Sequence, residues 1–403
     1  MAPPCTPRNP VPPTVALAFT LLLSITFPAL SSRRRHSPPA GCFESIISFG
    51  DSLADTGNLL RLSGSSTVSG LASARLPYGE TFFHRPTGRF SDGRLVIDFI
   101  AESLGLPLVP PYVGGGDSKF GGQSFDKGVN FAVAGATALD AEYLKEMGVY
   151  NLYTNASLGV QIEWFKQFLV TLQDGKIFME NSLVLLGEIG GNDYNLPLDF
   201  GMRPEQVRSL APAIVRYIGS TLQELIQLGA KTILVPGNFP IGCFPGFLTM
   251  SNSDNYKNST YDPKTGCVNW LNELSIHHNE LLQKELNRVQ GLHPRVSIIY
   301  ADYYNALLKI YLSPREFGIG KGMLSACCGG GGPFNFNKSS LCGFSLQAKS
   351  CEDPSLYISW DGLHLTEVAY KFLAQAILGG HHTVPHFNSI CSFTSQVTGF
   401  YEY

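Results

Sequence analysis

Ser45-Ile46-Ile47-Ser48-Phe49 runs without a break into Gly50-Asp51-Ser52-Leu53-Ala54-Asp55-Thr56-Gly57-Asn58. A short apolar, β-branched run of this kind reads as a strand buried on both faces, and the glycine that closes it reads as a sharp turn. Four more runs have the same character: 129–133 (VNFAV), 182–186 (SLVLL), 231–236 (KTILVP) and 296–301 (VSIIYA). Between the third and fourth, residues 204–228 carry the clearest helical pattern, with Val207, Leu210, Ile214, Ile218, Leu222 and Leu225 at three- and four-residue steps. Pro204 opens it and Gly229 ends it. Further helices are predicted at 95–104, 160–172, 268–289 and 367–377. Strands alternating with helices imply a parallel sheet covered by helices on both faces, an α/β fold, because parallel neighbours need crossovers of this length.

Working outward, the whole chain has 403 residues, 44% apolar and 15% charged, which excludes disorder. Lys plus Arg number 29 against 32 acids, a formal charge of −3, and no basic block is present that would neutralise several phosphates. Nucleic acid is therefore not expected as a partner. Residues 15–27 (VALAFTLLLSITF) form an uncharged apolar run preceded by Arg8 and followed by Ala29-Leu30-Ser31, a small-x-small site. The run is shorter than the roughly 20 residues of a membrane span and reads as a secretory signal peptide. Arg33, Arg34 and Arg35 just beyond would also suit a retained anchor. The expected organisation is a signal peptide at 1–32, a short segment at 33–42, one domain at 43–379 and a polar C-terminal tail at 380–403. No stable membrane insertion is expected once the signal is cleaved.

Cleavage near Ser32 removes Arg8 and no acid, leaving 28 basic against 32 acidic residues, a charge of −4. It also removes Cys5, and an even eight cysteines remain: Cys42, Cys243, Cys267, Cys327, Cys328, Cys342, Cys351 and Cys391. Disulfides in an oxidising compartment are expected, with about 105 pairings open on paper; locality favours Cys243 with Cys267. Sequons at Asn155, Asn258 and Asn337 fit the same route. Location outside the cell, or in the endomembrane lumen, follows as the expectation.

Four short stretches carry candidate chemistry. Ser52 stands at the carboxyl end of the first strand, where open α/β sheets place ligands, although Ser and Asp also commonly cap helices. In Ser359-Trp360-Asp361-Gly362-Leu363-His364, an Asp and a His three apart on a turn put the carboxylate on imidazole Nδ1. That arrangement fixes the tautomer and stabilises the imidazolium formed when Nε2 takes a serine proton. A surface turn ahead of a helix has the same composition. Gly190-Gly191-Asn192-Asp193 follows the third strand, and Asn192 there offers an amide donor of the sort a tetrahedral oxyanion needs; an ordinary turn is the alternative. Ala134-Gly135-Ala136-Thr137 follows the second strand and offers a backbone N–H with no side chain in the way. All four fall at the same edge of the sheet or open a helix there.

These stretches resemble, in order, the four sequence blocks of the GDSL esterase/lipase family, or SGNH hydrolases, in its plant secreted branch. They are Phe49 to Asn58, the glycine in Asn130-Phe131-Ala132-Val133-Ala134-Gly135-Ala136, then Gly191-Asn192-Asp193-Tyr194, and Asp361-Gly362-Leu363-His364. The stretch 76–94 (LPYGETFFHRPTGRFSDGR) is similar to that branch too. The resemblance implies a three-layer α/β/α sandwich with a flavodoxin-like parallel five-stranded sheet. It also implies a Ser52–His364–Asp361 triad, and an oxyanion hole from the N–H groups of Ser52 and Gly135 and the Nδ2 of Asn192. It implies no cofactor.

Other readings are weaker. There is no G-x-S-x-G elbow and no H-E-x-x-H zinc motif. The run Gly329 to Gly332 lacks the Gly-Lys-[ST] of a phosphate cradle, and it lies in 318–360, an aperiodic stretch rich in cysteine. His381, His382 and His386 lie in a tail read as solvated, without partners at metal spacing. Glu188 is left unassigned. The leading expectation is hydrolysis of carboxylic esters through an acyl-enzyme on Ser52, on a small-molecule or polysaccharide ester such as an acylated plant metabolite, an acetylated sugar or a lipid. An acyltransferase would need a held alcohol acceptor and excluded water. Phe82, Phe83, Phe244, Phe247, Phe334 and Phe336 would line such an acceptor pocket, or else pack the loops. A catalytically dead binding protein is the third reading.

Overall fold

The computed structural model describes residues 42–63, 70–115, 122–253, 256 and 258–391. The signal-peptide region, including Cys5 and Arg8, lies outside the described residues. Six strands form the main sheet: β1 (Ser45–Phe49), β2 (Gly128–Asn130), β3 (Ser182–Leu186), β4 (Thr232–Pro236), β5 (Ser297–Ala301) and, after a separate pair formed by β6 (Gly322–Ala326) and β7 (Tyr357–Ser359), β8 (Thr383–Val384). Their order is β2-β1-β3-β4-β5-β8. The first five are parallel, in the register Ile47 opposite Val129 and Val184, Ile233 opposite Ile298. This 2-1-3-4-5 order is flavodoxin-like and places its topological switch between β1 and β3, so a crevice opens where Ser52 leaves the sheet.

The chemistry of β1 explains its central place. Ile46, Ile47 and Phe49 are fully buried, as are Ser45 and Ser48, and strands covered on both faces are mostly apolar rather than alternating. Helix Ala211–Gln227 packs on Asn269–Leu292, and Val96–Ser103 packs on Glu367–Leu378. The expected helix over 204–228 is two, Pro204–Arg208 and Ala211–Gln227. Pro212 lacks the N–H that would continue the ladder, so the chain restarts there.

The sheet has a sixth strand, absent from the expected five. β8 pairs antiparallel to β5, with Tyr300 opposite Val384 and Ala301 opposite Thr383. The segment read as a solvated tail is thus built into the body as far as Cys391: the His382 carbonyl accepts from Asp302 N–H at 2.8 Å, His386 Nδ1 meets the Gly380 carbonyl, and Phe387 is buried. A polar composition hid this, because two residues of edge strand and one anchoring aromatic leave no periodic signal.

All eight described cysteines are paired: Cys42–Cys391, Cys243–Cys267, Cys327–Cys351 and Cys328–Cys342. The first ties the start of the body to its end. The last two sit with Ala72, Tyr78 and Trp360 in a small separate core that underlies the turn carrying Asp361 and His364. Among the described residues no helix is long and apolar enough to cross a membrane.

Candidate active site

Gly50 permits the turn after β1. Its φ is +143°, and a Cβ there would lie 2.9 Å from the Glu188 carbonyl oxygen and 3.0 Å from that of Gly187. With the backbone that close to β3, Asp51 N–H donates to Glu188 O at 3.0 Å and Ser52 is lifted to the sheet edge.

His364 comes to it from the far end of the chain. Its Nε2 lies 2.8 Å from Ser52 Oγ, and its Nδ1 lies 2.7 Å from Asp361 Oδ2. The i,i+3 spacing works because Asp361 Oδ1 also accepts the backbone N–H of Leu363 at 3.0 Å and of His364 at 2.8 Å, closing a tight loop on itself. Behind it, Cys327 and Cys328 N–H donate to the carbonyls of Ser359 and Trp360, and Trp360 N–H donates to His364 O. Tyr78 O–H donates to Asp361 Oδ2 at 2.7 Å, and the Phe90 ring lies 4.7 Å from the His364 ring. Burial pushes the Asp361 carboxyl up, but the His364 charge and hydrogen bond, with the two backbone N–H groups, outweigh it and hold it at about 2.

Three groups were expected to form an oxyanion hole. Among the described residues, the N–H groups of Ser52 and Gly135 donate to no other protein group. Asn192 opens the helix Asn192–Asp199, and its Nδ2 is engaged: 2.9 Å from Ala136 O and 3.2 Å from Asp51 Oδ2. The amide therefore holds the glycine loop in place, and its hydrogen bond to Asp51 is the longer of the two. Burial pushes Asp51 up to about 7, the charges of Asp193 and Asp55 adding to it against the opposing Leu53 N–H and His364.

Other residues of the same blocks act on the loops rather than on the cleft. Asp55 accepts from Gly57, Asn58 and Leu59 N–H and also from Ala134 N–H at 2.9 Å, bridging the nucleophile turn to the glycine loop. Asn58 Nδ2 donates to the Asn130 and Ala132 carbonyls, and Asn130 Nδ2 returns a bond to Ala54 O. Asp193 is fully buried and accepts Ala138 N–H at 2.8 Å and Leu139 N–H at 2.9 Å. Sequence reasoning missed these roles and that of Tyr78. The only signal was their place inside strongly worded blocks.

Glu188, unassigned from sequence, is buried in a cavity with Ser48, Leu53, Ala54, Tyr303 and Tyr370 behind the nucleophile turn. Burial, then the Asp51 charge, pushes its carboxyl well up. Of the six phenylalanines considered for an acceptor pocket, Phe244, Phe247 and Phe336 are buried, while Phe82 and Phe83 lie under the guanidinium groups of Arg94 and Arg89 at 4.0 and 4.7 Å. Phe334 is partly buried against the core, and Phe82 keeps 41% of its surface exposed. Asn155, Asn258 and Asn337 are all exposed. Among the described residues no His, Cys, Asp and Glu cluster could hold a metal ion.

The family described as GDSL-like Lipase/Acylhydrolase matches residues 46–377. Three GDSL esterase/lipases of Arabidopsis thaliana are 51%, 53% and 52% identical, over 88%, 87% and 88% of this chain and 90%, 87% and 88% of theirs. A solved acetyl-xylooligosaccharide esterase from Geobacillus aligns at a TM-score of 0.32 and 11% identity, over 71% of this chain and 87% of that one, which is too distant to carry an argument.

Proposed function

The chain belongs to the GDSL-like lipase/acylhydrolase family, and from that premise we propose that its hydrolysis of esters runs through an acyl-enzyme on Ser52. It is a hydrolase acting on ester bonds, as relatives of about half-identical sequence named GDSL esterase/lipases support. The observation that carries the mechanism is the unbroken Ser52–His364–Asp361 chain of 2.8 and 2.7 Å contacts. Asp361 accepts Nδ1–H, which leaves Nε2 unprotonated and facing the hydroxyl. Ser52 Oγ attacks the ester carbonyl while its proton passes to Nε2. The oxyanion that forms is met by the N–H groups of Ser52 and Gly135, with Asn192 Nδ2 moving onto it from Asp51. Collapse expels the alcohol with the proton from His364. Water, deprotonated by the same nitrogen, then releases the acid and restores Ser52.

The four disulfides and the plant relatives support passage through the secretory route, with 1–32 as a cleaved signal and glycans on Asn155, Asn258 and Asn337. The catalytic body on this reading extends from about 43 through the β8 segment, past the boundary at 379. The substrate is a small-molecule or polysaccharide ester. Acyl transfer is not favoured: most of the aromatic residues that would have lined an acceptor pocket are used in packing, which leaves little to hold an alcohol against water at about 55 M.

The test is to incubate purified secreted protein and Ser52→Ala with an ester panel, with and without added alcohol, and follow free acid and new ester separately. Acid release from wild type alone supports the reading. Full turnover by the alanine variant removes Ser52, and new ester in excess of acid would make the protein a transferase.

A further inference from the structure

Gly135 stands at φ +83°, and a Cβ placed on it would come within 2.7 Å of Tyr153 Cβ. Tyr153 thus occupies the space a side chain at 135 would take, with its own Cβ no more than about 5 Å from Gly135 N. The contact is fixed at the backbone: Asn151 Nδ2 donates to Gly135 O at 2.8 Å, and Asn151 Oδ1 accepts the N–H groups of Tyr153 at 3.0 Å and Thr154 at 3.3 Å. The side chains held there are open to solvent, Tyr153 at 64% and Leu152 at 84%. Tyr150 and Phe200 are also exposed but face each other with ring centroids 6.3 Å apart, Phe82 lies partly under Arg94, and Phe336 is buried. Tyr153 and Leu152 together form an exposed apolar surface mounted on the glycine loop.

We infer that Tyr153, with Leu152 beside it, is the specificity shelf of this enzyme and takes a flat aromatic ring carried by the ester. The inference rests on the reading of Gly135 N–H as an oxyanion donor. Tyr153 Cβ, Cγ and Cδ2 lie 2.7, 3.3 and 3.6 Å from the position a Gly135 Cβ would take, so on that reading the ring borders the loop that would hold the ester carbonyl. Offset or edge-on stacking of a substrate ring there strengthens binding by about threefold to tenfold over an ester without one. Partial burial, then the Asp199 charge, pushes the Tyr153 hydroxyl up against the opposing Lys338 charge, and Lys338 and Asp199 pair at 2.6 Å, so the far end of the shelf is polar. The shelf therefore selects ring-bearing esters over plain alkyl ones, and the ring arrives on either the alcohol or the acyl side.

The test compares kcat/KM for phenyl acetate (ring on the alcohol), ethyl phenylacetate (ring on the acyl group) and ethyl acetate (no ring). Tyr153→Ala is expected to lower the value about tenfold for at least one ring ester, through KM, while ethyl acetate stays within about twofold and Tyr153→Phe resembles wild type. The ester that falls identifies the side. An equal change on all three esters, or none on the ring esters, overturns the shelf. Leu152→Ser is the second variant, its side chain being too exposed to matter for folding. It is expected to act about threefold in the same direction, and unchanged discrimination in it overturns the shelf even where Tyr153→Ala fails to fold. A fluorophosphonate probe applied to wild type separates the two levels: absence of a Ser52 adduct refutes the underlying site, whereas a normal adduct with unchanged ester discrimination refutes the shelf alone.

Discussion

Tyr78 O–H and His364 Nδ1 both meet the same oxygen of Asp361, Oδ2, each at 2.7 Å. Tyr78 is buried, with its ring edge-on to Phe90 and Trp360, so its hydroxyl has no freedom to turn elsewhere. Asp361 is oriented from one side by its own turn and from the other by a residue 283 positions away.

Replacing Tyr78 by Phe keeps the ring packing and deletes that hydrogen bond to a charged acceptor, an interaction worth about 1.5–3 kcal/mol. We expect about a tenfold fall in kcat with KM unchanged and a lower melting temperature. Unaltered kcat would reduce Tyr78 to a packing residue.

Asn192→Ala should lower kcat by about 10² to 10³ with little effect on KM. Because Asn192 Nδ2 also holds Ala136 O, the melting temperature should fall as well. Normal kcat in the folded fraction would assign Asn192 to structure alone.

Asp193 stands next door. Its carboxylate carries two backbone N–H groups of the loop that presents Gly135, and Asp193→Ala strands both in a buried site. Thermal denaturation should show a loss of about 1–3 kcal/mol or more, accompanied by reduced kcat. A variant as stable and active as wild type would contradict that linkage.

The disulfides divide into two functional groups. Cys328–Cys342 lies in the core under Trp360, so replacing both by Ser should cost roughly 2–5 kcal/mol and also depress kcat. Replacing Cys42 and Cys391, which join the ends of the body, should affect stability without altering kcat in the folded fraction. Equal effects on kcat would show that the cysteine core does not support the Asp361 turn.

The buried acids set opposite limits on stability against pH. Asp361, held at about 2 against 3.8 when free, contributes stability that is present above about 4 and lost as pH falls toward 2. Asp51 and Asp193, pushed by burial to about 7, bind protons more tightly folded than unfolded. Their contribution is present below about 4 and is lost as pH rises through 7. Scanning calorimetry should place the highest melting temperature near pH 4–5, with a decline toward pH 8. A melting temperature that rises from pH 5 to 8 would contradict the assigned burial.

The strands and the order of the blocks were legible because buried parallel strands are continuous apolar runs, and SIISF, SLVLL and KTILVP can be little else. The D-x-x-H spacing offered the Asp361–His364 contact beside an ordinary surface turn, and it was the ordered set of four blocks that favoured the contact. Tyr78 was not readable: its partner is distant in sequence, and nothing in LPYGET marks a tyrosine whose hydroxyl is needed. Nor were Asp55, Asn58 and Asn130, whose work is to accept and donate across loops. β8 escaped notice because two edge residues carry no period, and the Tyr153 shelf because exposure is a property of the folded surface.

The most direct measurement is fluorophosphonate labelling of the secreted protein followed by peptide mapping, on wild type, Ser52→Ala and His364→Ala. The account predicts a single adduct on the peptide containing Ser52 in wild type, none in Ser52→Ala, and labelling slowed by orders of magnitude in His364→Ala. An adduct on another residue, or wild-type labelling without His364, would contradict it.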